Sequence, residues 1–530
     1  MPSRAIRYRP GPPPTTAIEP GSLARRFAAI REELNVPAAF PAAVLAEAEA
    51  ASRRGVPEAP DRTDLAFWTL DPPGSMDLDQ AMFLTRQDQG YRVHYAIADV
   101  PAFVVPGGPI DVEARLRGQT IYLPDGRVPL HPPTLSEGAA SLLPGQVRAA
   151  YVWEFVLDAD AVVISTSVAR ALVRSRERRD YAEVQARVET IGADAAADTE
   201  VDTTADAAAA DDASAEAADQ QMMLLRQIGT KRMVLESARG GASLPMPEQQ
   251  VVHDAAGRYR LEYRPPLAAE DWNAQISLMT GMAAAELMLA GGVGVLRTMP
   301  APDPQAVRRF RRQARAVGVN WPDGQRYGDF LRSLDRRNPR HLALIHEATS
   351  LFRGAAYTPF DGPAPEQRLH AAVAAPYAHV TAPLRRLVDR FGLVVCAAVS
   401  AGTEVPGWAR SALPELTRLM ADGDRRASAV ERACTDAVEA AVLASEVGKD
   451  FPATVVDRTS KGLPIVQLAE PAVLTAARGA AQAGDEVTVR VVGADVATGR
   501  VDLDVVSGGS ASGGSSGSAS GGSGVPRAQP

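Results

Sequence analysis

Cysteine is nearly absent from this chain. Its 530 residues include only Cys396 and Cys434, which excludes a disulfide framework or a cysteine metal cluster and fits a reducing, cytoplasmic compartment. Aromatic residues are scarce as well, at 5%, so a tyrosine set among arginines stands out. Lysine occurs only at 231, 449 and 461, and every other basic residue is arginine. No apolar stretch near residue 1 could serve as a secretory signal. One apolar run, Ile276 to Leu296, has the length of a bilayer span. Glu286 lies in its middle and Gly291-Gly292 suits a helix stop, so a buried helix followed by a short strand is expected, and no membrane partner.

What is present begins with charge. There are 64 acidic against 56 basic side chains, a formal −8, which argues at first against a nucleic-acid partner. Nine of those carboxylates fall between Gly192 and Asp219, a stretch with no Lys or Arg. Without them the formal charge is +1, so the acidity belongs to an insertion and the remainder is balanced.

The pattern divides the chain into four parts. Residues 1–60 read as an arm, Pro/Arg-rich at first and then helical over Leu23–Leu34 and Ala42–Arg53, and too short for a pair of cold-shock domains. Residues 61–447 read as one mixed α+β unit. Its strands are expected at Leu65–Leu70, Tyr91–Val100, Tyr151–Leu157 and Ala161–Val168, and helices follow at Tyr181–Thr190, Gln220–Ser237, Trp272–Ala290, Pro383–Ala401 and Gly423–Val447. Residues 448–506 return to short strands and fit a five-stranded barrel of the OB type. The insertion 192–219 and the Ser/Gly tail 507–530 have little to bury and are expected to be disordered.

The most informative stretch is Thr69-Leu-Asp71-Pro-Pro-Gly-Ser-Met-Asp77-Leu-Asp79-Gln80, directly after a hydrophobic strand. If Asp77-Leu78-Asp79 is extended, both carboxylates point to one side, and the Pro-Pro-Gly turn can bring Asp71 beside them. Three converging carboxylates repel one another unless a hard cation neutralises them, and Mg²⁺, or Mn²⁺, suits such an all-oxygen set. A solvated acidic turn gives the same spacing. An EF-hand loop does not, since its Gly and terminal Glu are missing at their offsets, and a glycosidase pair needs a separation that sequence does not supply.

A second stretch, Thr381-Ala-Pro-Leu-Arg385-Arg386, reads as a helix start with Pro383 at its first position. Both arginines then fall in the first turn, where the helix dipole disfavours cations. A phosphate expected at that point accounts for them. Ion pairing with Asp389 is the plainer alternative.

Together these stretches resemble the ribonuclease II / ribonuclease R (RNB) family of exoribonucleases. The resemblance continues through Val93-His-Tyr-Ala-Ile-Ala-Asp-Val100, Arg117-Gly-Gln-Thr-Ile-Tyr-Leu-Pro124, Leu135-Ser136 with Ser141-Leu142, Arg239-Gly-Gly-Ala242 and Tyr377-Ala-His-Val-Thr-Ala-Pro-Leu-Arg-Arg386. These blocks stand in the family's order across residues 64–392.

The resemblance implies a catalytic domain in which helices wrap a mixed sheet around an RNA channel, followed by an S1-like RNA-binding barrel over 448–506. It implies a Mg²⁺-dependent hydrolase that degrades single-stranded RNA from the 3′ end to 5′-nucleoside monophosphates. Asp71, Asp77 and Asp79 would hold metal, and Arg385 would be the catalytic arginine, with Arg386 a neighbouring RNA contact. Tyr122 and Tyr181 match tyrosines that stack on nucleotides, and Arg178 would follow phosphates. Core packing is the other reading for both tyrosines. His379 is grouped with the RNA-binding residues, packing or hydrogen-bonding in the loop before the arginines and not acting as a general base, because metal-assisted hydrolysis needs none.

Two positions depart from the family. Gln80 replaces a fourth aspartate, so as a metal ligand it would contribute a carbonyl oxygen but no charge. Asn273 or Ala274 stands where acids are usual. The alternative function is an RNB-fold RNA-binding protein with an impaired site, and carboxylates alone do not distinguish RNA from DNA.

Overall fold

The computed structural model describes residues 5–8, 22–37, 39–197, 211–244, 246, 248–253, 259–264 and 266–509. Two closed five-stranded barrels bracket a helical layer. The first barrel is built from Phe67–Leu70, Gln80–Gln87, Gly90–Ala98, Val147–Leu157 and Val163–Arg179, neighbouring in that order. All its pairings are antiparallel except the closing one, where Phe67–Leu70 runs parallel to Val163–Arg179. The expected mixed sheet is thus present, rolled shut.

Both faces of this barrel are buried, which explains the near-continuous apolar runs. Tyr91, Val93, Tyr95 and Ile97, with Tyr151, Trp153 and Phe155, join the core beneath the helices Ala268–Gly291 and Leu387–Ser400. The alternate residues, Ala96, Ala98, Ala150 and Val152, join a second cluster with Phe67, Leu78 and the helix Ala42–Arg53. Two strand expectations need correction. Val163–Arg179 continues eleven residues past Val168, so the arginines at 174–179 sit on a strand, and Gln80–Gln87, with its polar outer residues, was not expected as a strand.

The apolar run Ile276–Leu296 forms the end of the helix Ala268–Gly291, a left-handed Gly292 cap and the strand Val293–Thr298. Among the described residues no helix is long and apolar enough to cross a membrane. The acidic insertion is partly ordered, contrary to the expected disorder. Helices Tyr181–Ala197 and Asp211–Arg239 enter it from either side, and Asp219 pairs with Arg187. The rest of it, 198–210, lies outside the described residues.

The last helix of the α+β unit, Gly407–Ala444, starts well before the expected Gly423 and continues through Pro414. It leads to the second barrel, formed by Asp450–Arg458, Pro464–Leu468, Val473–Arg478, Glu486–Asp495 and Arg500–Gly509. The five-stranded barrel expected from the sequence is thus present. The last strand reaches Gly509, beyond the expected start of the tail, while 510–530 lie outside the described residues. Two close contacts fix the long helix. Gly118 packs against Gly423 in the α+β unit, and Gly499 of the second barrel packs against Asp436.

Gly118 is a left-handed residue with φ +75°, and a Cβ there would lie 3.1 Å from the Leu419 carbonyl oxygen. Gly107 has the same φ but open space around it. Gly118→Ala should therefore lower the unfolding free energy by about 1–3 kcal/mol more than Gly107→Ala does, as read from denaturant midpoints. Equal losses would show that the contact with the long helix carries no packing constraint.

Candidate active site

Asp71 follows the strand Phe67–Leu70 and extends its pairing by donating its N–H to the Arg179 carbonyl at 3.2 Å. The chain then turns through Pro72–Ser75 and returns as Met76–Asp79 into the strand Gln80–Gln87. Ser141 pins the return. Its hydroxyl donates to the Met76 carbonyl at 2.6 Å and accepts from the Leu78 N–H at 2.9 Å. Leu78 is thereby fully buried, and Asp77 and Asp79 on either side of it lie close enough to repel one another.

Asp79 reaches across to the segment before the helix Leu387–Ser400. Its Oδ1 accepts the Leu384 N–H at 2.8 Å, and its Oδ2 lies 3.5 Å from Arg385 Nε. The Arg385 side chain is 42% exposed, which leaves most of its donors facing outward. The Arg385 carbonyl accepts the Thr120 N–H at 3.0 Å, so the hairpin Ile121–Leu123/Gly126–Val128 joins the same rim. On that hairpin Tyr122 is 39% exposed and stands opposite Arg127. Three stretches separated by up to about 300 residues thus meet at one rim.

Electrostatics follow from that packing. Burial, with repulsion from Asp77, pushes Asp71 up to about 7, while Arg385 and Arg178 oppose the rise. Burial also raises Asp79 well above the usual carboxylate range, against the pull of Arg385 and the Leu384 N–H. Asp77 instead leans on Arg127 at 2.5 Å, and the same guanidinium reaches Glu137 at 2.7 Å. Among the described residues no three His, Cys, Asp or Glu side chains converge closely enough to hold a cation as they stand. The donor set nonetheless suits a hard divalent ion, being all carboxylate oxygen with two members in surroundings that disfavour an uncompensated charge.

Several expected residues take other partners. Gln80 was expected as a fourth, weak metal ligand. Both ends of its amide are engaged, the nitrogen donating to the Thr381 carbonyl at 2.6 Å and the oxygen accepting from the Tyr95 hydroxyl at 2.6 Å. Tyr95 in turn meets Ser277 Oγ at 2.8 Å. Position 80 is a clasp between the barrel and the arginine segment. The arginines are not in a first helical turn, because Pro383–Arg385 form a turn and the helix begins at Leu387 with Arg386 as its extended N-cap. Arg386 is held by both oxygens of buried Asp389, at 2.8 and 2.7 Å, so the expected RNA contact is an internal ion pair.

Arg178 donates to the Ser75 carbonyl at 2.9 Å and so braces the turn after Asp71. With Arg176, Arg179, Met76 and Gln146 it lines an open groove of about 690 Å³. His379 Nδ1 meets the Tyr357 hydroxyl at 2.8 Å, and burial together with Arg386, Arg297 and Arg385 holds it well below its usual value, hence neutral. Tyr181 packs on the main core and its hydroxyl accepts from Asn273 at 3.2 Å. Sequence reasoning passed over Arg127, Glu137 and Tyr95. The signal for Arg127 was its place across a Pro-Asp-Gly turn from Tyr122.

Two outcomes follow for the metal-free protein. Replacing Gln80 by Leu removes both clasp bonds and should cost about 1–3 kcal/mol of unfolding free energy in chemical denaturation. Asp71, raised from 3.8 to about 7, holds a proton in the folded state that the unfolded chain releases, so folding loses stability as pH rises through that window. Asp71→Asn should therefore melt with wild type near about pH 3.5, gain on it between about pH 4 and 7, and keep that gain at about pH 8, in thermal melts with chelator. A gain that is independent of pH would show that Asp71 is an ordinary carboxylate.

Comparison with known proteins identifies the two domains. Residues 60–395 match the RNB domain, and residues 449–506 match the RNase II-type exonuclease C-terminal S1 domain. Exosome complex exonuclease RRP44 homolog A of Arabidopsis thaliana is 29% identical over 343 residues, 62% of this chain and 34% of that protein. Ribonuclease R of Escherichia coli is 27% identical over 342 residues, 62% of this chain and 39% of that protein. The aligned part is thus little more than a third of either relative. Among solved structures, Mycoplasma genitalium RNase R in complex with ribose methylated single-stranded RNA superimposes with a TM-score of 0.78 at 18% identity, covering 92% of this chain and 78% of that one. Yeast Ssd1, a pseudonuclease, superimposes with a TM-score of 0.61 at 14% identity, covering 86% and 56%. With the RNB domain spanning most of its length, the chain belongs to the RNB domain family and carries a C-terminal S1 domain.

Proposed function

We propose that the protein is a divalent-cation-dependent, hydrolytic 3′-to-5′ exoribonuclease that releases 5′-nucleoside monophosphates from single-stranded RNA. The observation that carries this reading is the meeting of Asp79 and Arg385 at 3.5 Å, with Asp71 and Asp77 on the same rim. Asp71, Asp77 and Asp79 would hold Mg²⁺ or Mn²⁺, which, when bound, activates water and neutralises phosphoryl charge. Arg385 presents its free donors to the scissile phosphate and offsets charge that develops on its oxygens. Tyr122, 39% exposed, offers a ring for the terminal bases, and the groove beside Arg176 and Arg178 offers cations to the backbone. His379, buried and engaged with the Tyr357 hydroxyl, is assigned no proton-transfer role.

A second reading has support of its own. The Gln80 amide is spent on Tyr95 and Thr381, and Asp77 is held by Arg127, an arrangement compatible with an RNA-binding protein that does not cleave. The two readings separate in one experiment with a labelled oligoribonucleotide, Mg²⁺ and the full chain. Stepwise shortening from the 3′ end is expected, slowed by roughly 10²-fold or more in Asp79→Asn and in Arg385→Ala. Tight binding without product favours the second reading, and shortening unaffected by Asp79→Asn removes the assigned site.

A further inference from the structure

The Arg127 guanidinium is placed where it opposes cation binding. It lies 2.5 Å from Asp77 Oδ1, with both side chains largely buried at 22% and 13% exposure. It lies 2.7 Å from Glu137 Oε1 as well, on the short helical segment Leu135–Ala139 just before the Ser141 that pins Asp77's loop. One fixed positive charge is therefore shared by two carboxylates, of which only Asp77 faces the Asp71/Asp79 rim. A guanidinium on Asp77 Oδ1 and a divalent ion on the same carboxylate would repel each other strongly in a partly buried site, so each weakens the hold of the other.

We infer that Arg127 is a positioning residue that competes with the divalent cation for Asp77, and that Glu137 is the partner that retains the guanidinium when the cation displaces it. The inference rests on the proposed cation-dependent reading of the site. Without Glu137, displacement would leave a half-buried arginine unpaired, at the full desolvation cost of that charge. With it, the exchange trades one carboxylate contact for a metal contact while the hairpin stays anchored. That anchoring matters because Arg127 stands directly across the hairpin from Tyr122, and because Asp125 in the same turn pairs with Arg31 at 2.6 Å. Motion of Arg127 toward Glu137 and the seating of a base on Tyr122 thus involve the same two strands.

The test is Mn²⁺ uptake by the full chain without RNA, read as loss of the free-ion paramagnetic resonance signal, so cleavage is not the readout. Arg127→Gln removes the competitor and should tighten Mn²⁺ binding by roughly tenfold or more, the scale on which one nearby opposite charge shifts a carboxylate. Glu137→Gln removes the alternative partner and should weaken binding by roughly threefold. Opposite signs in the two variants support the competition. Equal or weaker binding in Arg127→Gln assigns Arg127 a purely structural role and overturns the inference while leaving the proposed function standing. Absence of Mn²⁺ uptake by wild type, alone or with an oligoribonucleotide, overturns the cation-dependent reading and this inference together.

Discussion

The carboxylate of Asp79 is the joint on which the site depends. A residue at the mouth of the first barrel accepts the Leu384 N–H and approaches Arg385 across a separation of 305 residues, at 4% exposure. A buried acceptor is costly to leave unmade, so this one group holds the barrel and the segment before Leu387–Ser400 in register. Gln80, the next residue, reinforces the joint from the other side through Thr381 and Tyr95. Neighbouring side chains therefore divide the work. One carries charge to the rim, and the other ties down the loop that presents the arginine.

Much of the site was legible because its residues announce themselves locally. The spacing of Asp71, Asp77 and Asp79 after an apolar strand, and two arginines after Thr381-Ala-Pro, both survive as neighbours in space. Partner choice was less legible. Arg385 and Arg386 are adjacent in sequence and look equivalent, yet Asp389 holds Arg386 by both oxygens while Arg385 keeps its donors. A sequence shows that a cation is near an anion three residues on, but not which of two arginines the backbone will turn inward. The same limit applies to Gln80, whose hydrogen-bond partners lie 15 and 301 residues away.

The fold was readable where burial was two-sided and less so where it was not. Gly90–Ala98 is buried along nearly its whole length and was recognised, whereas Gln80–Gln87 is only partly buried and ends in polar residues. The insertion misled through composition. Its Ala-rich ends are good helix formers, and Met222, Leu224, Leu225 and Ile228 beyond it anchor the second helix in the main core. Local lack of apolar residues was outweighed by what the helix buries further along.

The long helix Gly407–Ala444 also works as a gauge. Its contact with Gly118 at Gly423 and its contact with Gly499 at Asp436 lie about 20 Å apart along the axis. The first contact is joined through Gly118 and Thr120 to Arg385, and the second belongs to the S1 domain. An α-helix hardly stretches, so the distance between the arginine rim and the barrel surface is fixed by a count of residues. Inserting or removing a turn between 423 and 436 would shift that spacing in steps of about 5.4 Å, with neither end redesigned.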